Sequence, residues 1–288
     1  QLLKWQAVPQ KIFEHNESGD RWYVGGVMNT CFNCVDRHVE AGHGARIAFI
    51  HDSPMTGTKN QISYAELLDR VQCVATMMQD KGIEKGDRVI IYMPMIAETA
   101  IAALACARLG AIHSIVFGGF ASAELATRLD DAKPKLVLAA SCGLEPGRII
   151  DYKPLLDGAI ELALHKPEAC LIWQRDEAPA PLIDGRDFEW QALEDQARAA
   201  DRRATCVPVL ATDPLYILYT SGTTGIPKGV VRDNGGHLVA LSWTMENVFN
   251  IVPGEGFWSA SDFGWVVGHS FILYGPLAIG ATSMIYEG

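Results

Sequence analysis

Short apolar runs alternate with helical stretches in the first half of this chain, and this alternation restricts its fold more than any other feature of the sequence. Candidate strands span residues 88–93, 111–117 and 135–140, and helical stretches at 97–109 and 122–131 separate them. Strands joined by helices through short connections form parallel βαβ units, in which both faces of the sheet are covered. The chain is therefore predicted to be an α/β protein of layered βαβ units with mostly parallel sheets.

The ends of two helices are marked in the sequence. Ser63 and Glu66 are predicted to form a capping box, in which each side chain bonds the other residue's amide. Gly82 suits the left-handed position just after the helix that this box opens, and Gly110 does the same for the helix at 97–109. The residues that give the first helix its apolar spacing are Leu67, Val71, Val74 and Met78.

The division into domains follows from the same periodicity. Residues 1–28 show no sustained period and are predicted to be an irregular N-terminal segment, followed by one α/β domain over residues 29–288. Alternation resumes with a strand at 215–219. A chain of 288 residues can bury a substantial core without disulfides. Because it begins at Gln1 and stops in what looks like the middle of a domain, we expect a truncated N-terminal portion of a longer protein.

Charge and hydropathy limit the partners of the chain. Its 24 Lys and Arg against 34 Asp and Glu give a net charge of −10, which argues against a nucleic-acid surface. Residues 265–286 carry no charged side chain, but Gly, His and Pro interrupt them, so we predict buried core and no membrane span. The seven scattered cysteines, with no secretory pattern, predict a cytoplasmic location, with the mitochondrial matrix as the alternative.

A segment rich in Gly, Ser and Thr follows the strand at 215–219. Glycines permit tight turns, and a run of amides and hydroxyls can surround phosphate oxygens. Lys228 adds a positive charge, although the segment does not contain the Walker A spacing. A flexible surface loop is the alternative, but the hydroxyl density and the preceding strand favour phosphate binding. The predicted phosphate-binding residues are Thr220, Ser221, Gly222, Thr223, Thr224, Gly225 and Lys228.

Two motifs in this chain resemble those of one enzyme family. Residues 220–229 are similar to the phosphate-binding motif of the AMP-forming (adenylate-forming) synthetases. Residues 262–270 resemble a motif of the short-chain acyl-CoA synthetases within that family. Two motifs in this order are much more specific than either alone. Further stretches that resemble the family are residues 33–38, 92–95 and 117–120.

One branch of the family is most similar to the chain. Residues 142–148 and 229–233 look most like the propionyl-CoA synthetase branch, with the acetyl-CoA synthetase branch as the near neighbour. The resemblance implies part of the large N-terminal domain of an adenylate-forming enzyme. It also implies a reaction in which ATP, with Mg²⁺, activates a short-chain carboxylate to an acyl-adenylate, whose acyl group passes to coenzyme A. Propionate is the expected acid and acetate the alternative, and ATP, Mg²⁺ and coenzyme A are substrates, with no tightly bound cofactor.

The resemblance also assigns residues to ligands. The expected coenzyme A contacts are Gly118, Gly119, Glu145, Pro146, Gly147 and Arg148, and the expected acyl pocket is Trp265, Val266 and Val267. The acetyl branch has arginine where Glu145 stands, so a contact there is expected to use the backbone only. It tends to have threonine at Val267, so the extra apolar surface here is compatible with a longer acyl chain.

No catalytic residue is assigned within the chain itself. The family's adenine-enclosing motif and lysine-bearing C-terminal domain would follow Gly288, so the isolated chain is expected to be inactive. A non-catalytic nucleotide-binding fragment is therefore the rival interpretation. The same truncation is expected to leave apolar surface exposed between Phe257 and Tyr286.

The sequence allows two interpretations of several residues. His269 is either catalytic or a buried structural histidine, and Gly118 with Gly119 either meets a ligand or only forms a tight turn. Arg148 taken alone is a surface residue. Cys31-x-x-Cys34, followed by His38, suggests zinc, but its spacing does not fit a zinc finger, so no metal site is predicted.

Overall fold

The computed structural model describes residues 2–17, 19–220 and 227–288. Its strands are β1 (Lys11–Asn16), β2 (Gly19–Val24), β3 (Val27–Met28), β4 (Ile47–Ser53), β5 (Thr58–Ser63), β6 (Arg88–Tyr92), β7 (Ile112–Val116), β8 (Leu136–Ala140), β9 (Cys142–Glu145), β10 (Arg148–Asp151), β11 (Ala169–Trp173), β12 (Asp187–Glu189), β13 (Val209–Leu210), β14 (Pro214–Thr220), β15 (Lys228–Asp233), β16 (Gly256–Phe257) and β17 (Thr282–Tyr286). Its α-helices are α1 (Tyr64–Asp80), α2 (Ala97–Leu109), α3 (Ser122–Ala132), α4 (Tyr152–Leu162), α5 (Trp190–Ala199), α6 (Gly235–Asn247), α7 (Val266–Gly268) and α8 (Gly275–Ala278). Within these described residues, short π-helical segments span Phe32–Asp36, Val39–His43 and His269–Tyr274.

A seven-stranded sheet is the centre of the fold, with the strand order β12-β11-β8-β6-β7-β14-β15. Every neighbouring pair is parallel except β14 and β15, which are antiparallel at one edge. The predicted α/β class with a mostly parallel sheet is therefore confirmed. Strands β8 and β11 are continuous apolar runs, as expected where helices cover both faces of a sheet.

The predicted helix ends agree closely with the structure. The second helix spans Ala97–Leu109 as predicted, and Gly110 follows it with φ of 69°. At the start of α1, the Glu66 amide donates to the Ser63 hydroxyl at 3.2 Å, and Gly82 lies past its end with φ of 76°. Only this half of the capping box forms among the described residues. Ser63 is itself the last residue of β5 and pairs with Ile47 of β4.

A second sheet has the order β16-β17-β4-β5. Its parallel pair of β17 with β4 joins segments more than 230 residues apart, with Ser283 opposite Phe49. A buried ion pair connects the end of β17 to the central sheet, since Arg175 beyond β11 lies 2.6 Å from Glu287. This pairing fixes the chain that precedes β17. That chain carries residues 262–270, here called the acyl-pocket motif because they include the predicted acyl pocket.

The N-terminal segment, predicted to be irregular, contains two paired strands, so that description was wrong. Strands β1 and β2 form an antiparallel pair with Phe13 opposite Trp22, and the two rings lie 4.8 Å apart. Most residues of β1 are exposed, so the strand has no alternating apolar face that the sequence could display. One cross-strand aromatic pair supplies the packing instead.

The uncharged stretch at 265–286 is mostly core. Its side chains from Gly268 onward are buried or half-buried up to Ile285, and no helix within the described ranges is long and apolar enough to cross a membrane. The apolar surface that was expected to be exposed between Phe257 and Tyr286 is limited to a few large side chains. They are Trp258, Trp265, Val266, Val267 and Tyr286.

Candidate active site

Neighbouring parallel strands of the central sheet end at one edge. Strands β6 and β7 are parallel neighbours, and β14 joins β7 with Tyr216 opposite His113. Phe117 directly follows β7, and Thr220 is the last residue of β14. In open α/β sheets, ligands bind outside the carboxyl ends of the strands. This edge is therefore where a substrate cleft is expected.

The two ends of the predicted phosphate loop lie side by side at this edge. Thr220 ends β14 and pairs with Lys228, the first residue of β15, and both residues are exposed. Lys228 is thus carried on a sheet strand at one end of the predicted loop. The remaining predicted phosphate-binding residues lie outside the described part of the chain: Ser221, Gly222, Thr223, Thr224 and Gly225.

Gly118 and Gly119 form a turn after β7. The Phe120 amide donates to the Phe117 carbonyl at 3.3 Å, and Gly119 has φ of 111°, which favours glycine. A Cβ atom on Gly118 would lie 2.1 Å from the Tyr152 hydroxyl. Turn geometry and packing therefore both require glycine here. The coenzyme A contact of this turn stays a prediction.

The acyl-pocket motif folds back on itself beside that turn. The Gly264 amide donates to the Asp262 carboxylate at 2.7 Å, and the Trp265 amide donates to the Asp262 carbonyl at 3.1 Å. A Cβ on Gly264 would lie 3.0 Å from the backbone of Phe117, and one on Gly268 would lie 2.0 Å from the Asp262 carbonyl oxygen. The motif glycines thus permit close backbone approach. Burial raises the pKa of the Asp262 carboxyl.

Trp265 is half-exposed at the rim of this loop. Its ring centroid lies 6.2 Å from that of Phe117, and its exposed fraction is 53%. Val266 and Val267 beside it are also exposed. The structure therefore brings the predicted acyl pocket next to the Phe117–Phe120 turn, and these apolar side chains can contact a small ligand.

The remaining predicted coenzyme A contacts lie in the hairpin of β9 and β10. Glu145 stands opposite Arg148, whose Nε atom donates to its carboxylate at 2.7 Å. Gly147 has φ of 77° and follows Pro146, an arrangement typical of a tight turn. The acid at 145 is therefore paired, which reduces its repulsion of a phosphorylated ligand. Both side chains are more than 40% exposed.

A cleft of about 1620 Å³ lies between the N-terminal hairpin and α6. Trp22 and Trp243 line it, together with His237 and Val266. Val266 is the one predicted site residue, among those the structure describes, that contributes to its lining. The cleft therefore adjoins the acyl-pocket motif, whereas the predicted coenzyme A segments lie elsewhere.

His269 belongs to a buried cluster of rings that the sequence did not indicate. Its Nδ1 atom lies 3.1 Å from the Trp265 carbonyl oxygen, and its ring stacks on His113 at 5.5 Å. The His113 Nε2 atom lies 2.5 Å from the Tyr274 hydroxyl. Burial lowers the pKa of His269 to about 4 and that of His237 to about 3. The structural interpretation of His269 is favoured, because its ring is neutral at pH 7 and inaccessible.

These neutral rings predict a loss of stability in acid. The pKa of His269 in the folded protein is about 4, against 6.5 for an ordinary histidine, so below pH 6.5 the unfolded chain binds a proton that the folded protein does not. We expect the free energy of unfolding to fall as pH decreases from 6.5 towards 4, by about 1.4 kcal/mol per pH unit for each such ring. Urea unfolding across this range measures the slope. In the His269→Gln variant, the dependence of the free energy of unfolding on pH should decrease by the contribution of one histidine. A slope equal to that of the wild type would contradict a buried, neutral His269.

The cysteine pair that suggested zinc is split in the structure. The Cys34 thiol faces the Tyr274 carbonyl oxygen at 3.8 Å, whereas Cys31, Asp36 and Cys206 place ligand atoms within 4.8 Å of one another. Arg108 lies 2.9 Å from the Asp36 carboxylate. The Arg108 guanidinium therefore already supplies the positive charge that a metal ion would bring to this cluster. Cys206 is too distant in sequence to be grouped with Cys31 by spacing.

Comparison with known proteins identifies relatives of this arrangement. A family described as AMP-binding enzyme matches residues 35–288. The chain is 54% identical over 288 residues to acyl-CoA synthetase short-chain family member 3, mitochondrial, of Rattus norvegicus, covering 99% of the chain and 42% of the relative. It is 45% identical over 287 residues to propionate–CoA ligase of Escherichia coli (strain K12), covering 99% of the chain and 45% of the relative.

The similarity extends across every segment of the candidate site. The family match starts within the first π-helical segment and continues to Gly288, so it includes the Phe117–Phe120 turn, the hairpin and the Asp262–Gly268 loop. The chain spans less than half the length of the two relatives named above. Because the match covers most of the chain, this protein belongs to the AMP-binding enzyme family.

Proposed function

We propose that the protein containing this chain is an AMP-forming short-chain acyl-CoA synthetase that prefers propionate. One observation carries the proposal: the ends of the predicted phosphate loop, the Phe117–Phe120 turn and the Trp265 loop meet at one sheet edge. Both steps of the reaction take place at the same acyl group, so the sites for ATP, for the acid and for coenzyme A must adjoin one another. The names of the two relatives, an acyl-CoA synthetase and a propionate–CoA ligase, support the same reaction.

In the first step, a carboxylate oxygen of the acid forms a bond to the α-phosphorus of ATP. The bond from that phosphorus to the departing pyrophosphate breaks, and an acyl-adenylate remains. Negative charge grows on the pyrophosphate, and Lys228 at the loop end is suited to stabilise it. Mg²⁺ enters with ATP as part of the substrate.

In the second step, the sulfur of coenzyme A forms a bond to the acyl carbon, the bond from that carbon to the AMP oxygen breaks, and the thiol proton is released. The thiol must therefore reach the acyl group beside Trp265. Contact between Trp265 and Phe117 supports an approach along the Phe117–Phe120 turn. The net charge of −10 also favours small-molecule substrates over nucleic acid.

The acyl pocket supplies a test of chain-length preference. Replacing Val267 with Thr keeps the side-chain shape but exchanges a methyl group for a hydroxyl, so the pocket should favour propionate less. Because a methylene is worth about 1–3 kcal/mol in an apolar pocket, we expect the propionate-to-acetate ratio of kcat/KM to fall roughly tenfold. Val252→Thr is the matched control, since Val252 is also an exposed valine but lies outside the predicted site. Equal ratios in wild type and Val267→Thr would remove Val267 from the pocket.

The overall proposal is tested on the protein encoded by the complete gene. Incubation with ATP, Mg²⁺, coenzyme A and acetate, propionate or butyrate should give AMP and pyrophosphate, with propionate used best. Best use of acetate would favour the acetyl-CoA synthetase alternative, and failure of every acid would favour a non-catalytic nucleotide-binding protein. We propose a cytoplasmic location, with the mitochondrial matrix as the alternative because the rat relative is named mitochondrial.

A further inference from the structure

Tyr152 stands at the junction of the two segments expected to bind coenzyme A. It is the first residue of α4 and directly follows the β9–β10 hairpin, and its exposed fraction is only 3%. Its ring packs against that of Tyr92 at 4.9 Å, and the Tyr92 hydroxyl donates to the Phe120 carbonyl at 2.9 Å. The Tyr152 ring is therefore held between the hairpin and the Phe117–Phe120 turn.

Two glycines make room for the end of this ring. A Cβ on Gly118, in the turn, would lie 2.1 Å from the Tyr152 hydroxyl oxygen. A Cβ on Gly143, in β9, would lie 2.3 Å from the same atom and 2.4 Å from the ring carbon that bears it. Such separations are far below van der Waals contact, so either methyl group would displace the tyrosine. The Tyr152 hydroxyl thus packs between the Phe117–Phe120 turn and β9, which are distant in sequence.

The acyl-pocket loop is close to the same tyrosine. Burial chiefly raises the pKa of Tyr152, and the neighbouring Tyr92 and the Asp262 and Glu145 carboxylates raise it further. Asp262 opens the loop that carries Trp265, and Glu145 belongs to the hairpin. Tyr152 therefore lies near all three segments through which the thiol would reach the acyl group.

Building on the proposed function, we propose that Tyr152 is a positioning residue for coenzyme A. The hydroxyl end of its ring sets the distance between the Phe117–Phe120 turn and the β9–β10 hairpin. It therefore sets the width of the space between them that coenzyme A would occupy. The residue acts through Gly118 and Gly143, and its chemistry is steric, because its hydroxyl forms no hydrogen bond within the described ranges of the chain. This role does not require the Tyr152 hydroxyl to ionise.

The strand order of the central sheet separates Tyr152 and the β9–β10 hairpin from the predicted phosphate loop. The hairpin follows β8, which β6 separates from β7, whereas the phosphate loop follows β14 on the far side of β7. A change at Tyr152 should therefore affect the thiol-dependent step more than formation of the acyl-adenylate. The two steps can be measured separately, since exchange of pyrophosphate into ATP needs the acid but not coenzyme A.

The test is a double-mutant cycle in the protein encoded by the complete gene, with Gly118→Ala, Tyr152→Leu and the double variant. We expect each single change to raise KM for coenzyme A roughly tenfold, and the double variant to recover most of that rise, because the added methyl group occupies space that the ring has left. Pyrophosphate exchange should fall much less than KM rises. Tyr152→Phe, which keeps the ring, should have a smaller effect than Tyr152→Leu.

A second cycle and a control keep the test decisive if one variant folds poorly. Gly143→Ala with Tyr152→Leu should show the same recovery in KM and in the midpoint of thermal unfolding, whereas Gly256→Ala, where a Cβ meets no atom within 4 Å, should change neither. Additive effects in both cycles, or exchange that falls in parallel with the rise in KM, would overturn the proposal. Absence of acid-dependent exchange in the wild type would instead overturn the proposed function.

Discussion

Replacing Lys228 with Ala is expected to reduce kcat/KM for ATP by roughly 100-fold while leaving the free energy of unfolding nearly unchanged. The side chain is exposed at the start of an edge strand, so it contributes little packing. Its charge lies beside the end of the predicted phosphate loop, where it would oppose the charge that develops on pyrophosphate. Steady-state rates of pyrophosphate release at low ATP measure the effect, and urea unfolding checks the fold.

A matched control distinguishes an effect of the position of Lys228 from an effect of the net charge of the protein. Lys59 is also an exposed lysine on an edge strand, but it lies in the second sheet and pairs with Asp52. Lys59→Ala should therefore leave ATP use close to that of the wild type. An equal loss in both variants would mean that net charge matters rather than position. Unchanged ATP use in Lys228→Ala would place Lys228 outside the active site.

The second large effect is expected from Gly268→Ala. An added Cβ would lie 2.0 Å from the Asp262 carbonyl oxygen, and a backbone atom cannot turn aside as a side chain can. The loop that carries Trp265 must then shift, at a cost of about 1–3 kcal/mol in the free energy of unfolding. A displacement of about 1 Å at a reacting group can cost roughly 100-fold, so kcat/KM for propionate should fall by that order.

Gly256→Ala again provides the comparison, because its surroundings are open. Urea unfolding and kinetics with propionate should both resemble the wild type in that variant. If Gly268→Ala keeps full stability and full use of propionate, the Asp262–Gly268 loop is not packed as described and does not form the acyl pocket.

The central fold was accessible to sequence reasoning because its signals are local. Helix α2 combines an alanine-rich run with a terminal glycine, and β6, β7 and β8 are short apolar runs, so their bounds differ by at most one residue at each end from those predicted. The N-terminal hairpin has no such pattern, since β1 is mostly exposed. The pairing of β17 with β4 is also invisible locally, because it depends on contacts between opposite ends of the chain.

The candidate site divides in the same way. Motif residues such as Lys228 and Trp265 could be named from the sequence, and the structure brings the second of them beside Phe117. Tyr152 and His113 were missed because their contacts are made across the fold. The one available signal for His113 was the polar pair His113 and Ser114 between the apolar residues of strand β7. For Tyr152, no local pattern links it to Gly118 and Gly143.

The most direct measurement of the central claim follows an oxygen atom. Attack of a carboxylate on the α-phosphorus of ATP leaves one carboxylate oxygen on AMP after the acyl group passes to the thiol. Propionate labelled with oxygen-18 in its carboxyl group should therefore give AMP that carries one labelled oxygen when the protein encoded by the complete gene is incubated with ATP and coenzyme A. Mass spectrometry of the nucleotide products reads the label. Appearance of the label in inorganic phosphate, with ADP as the nucleotide product, would contradict the account.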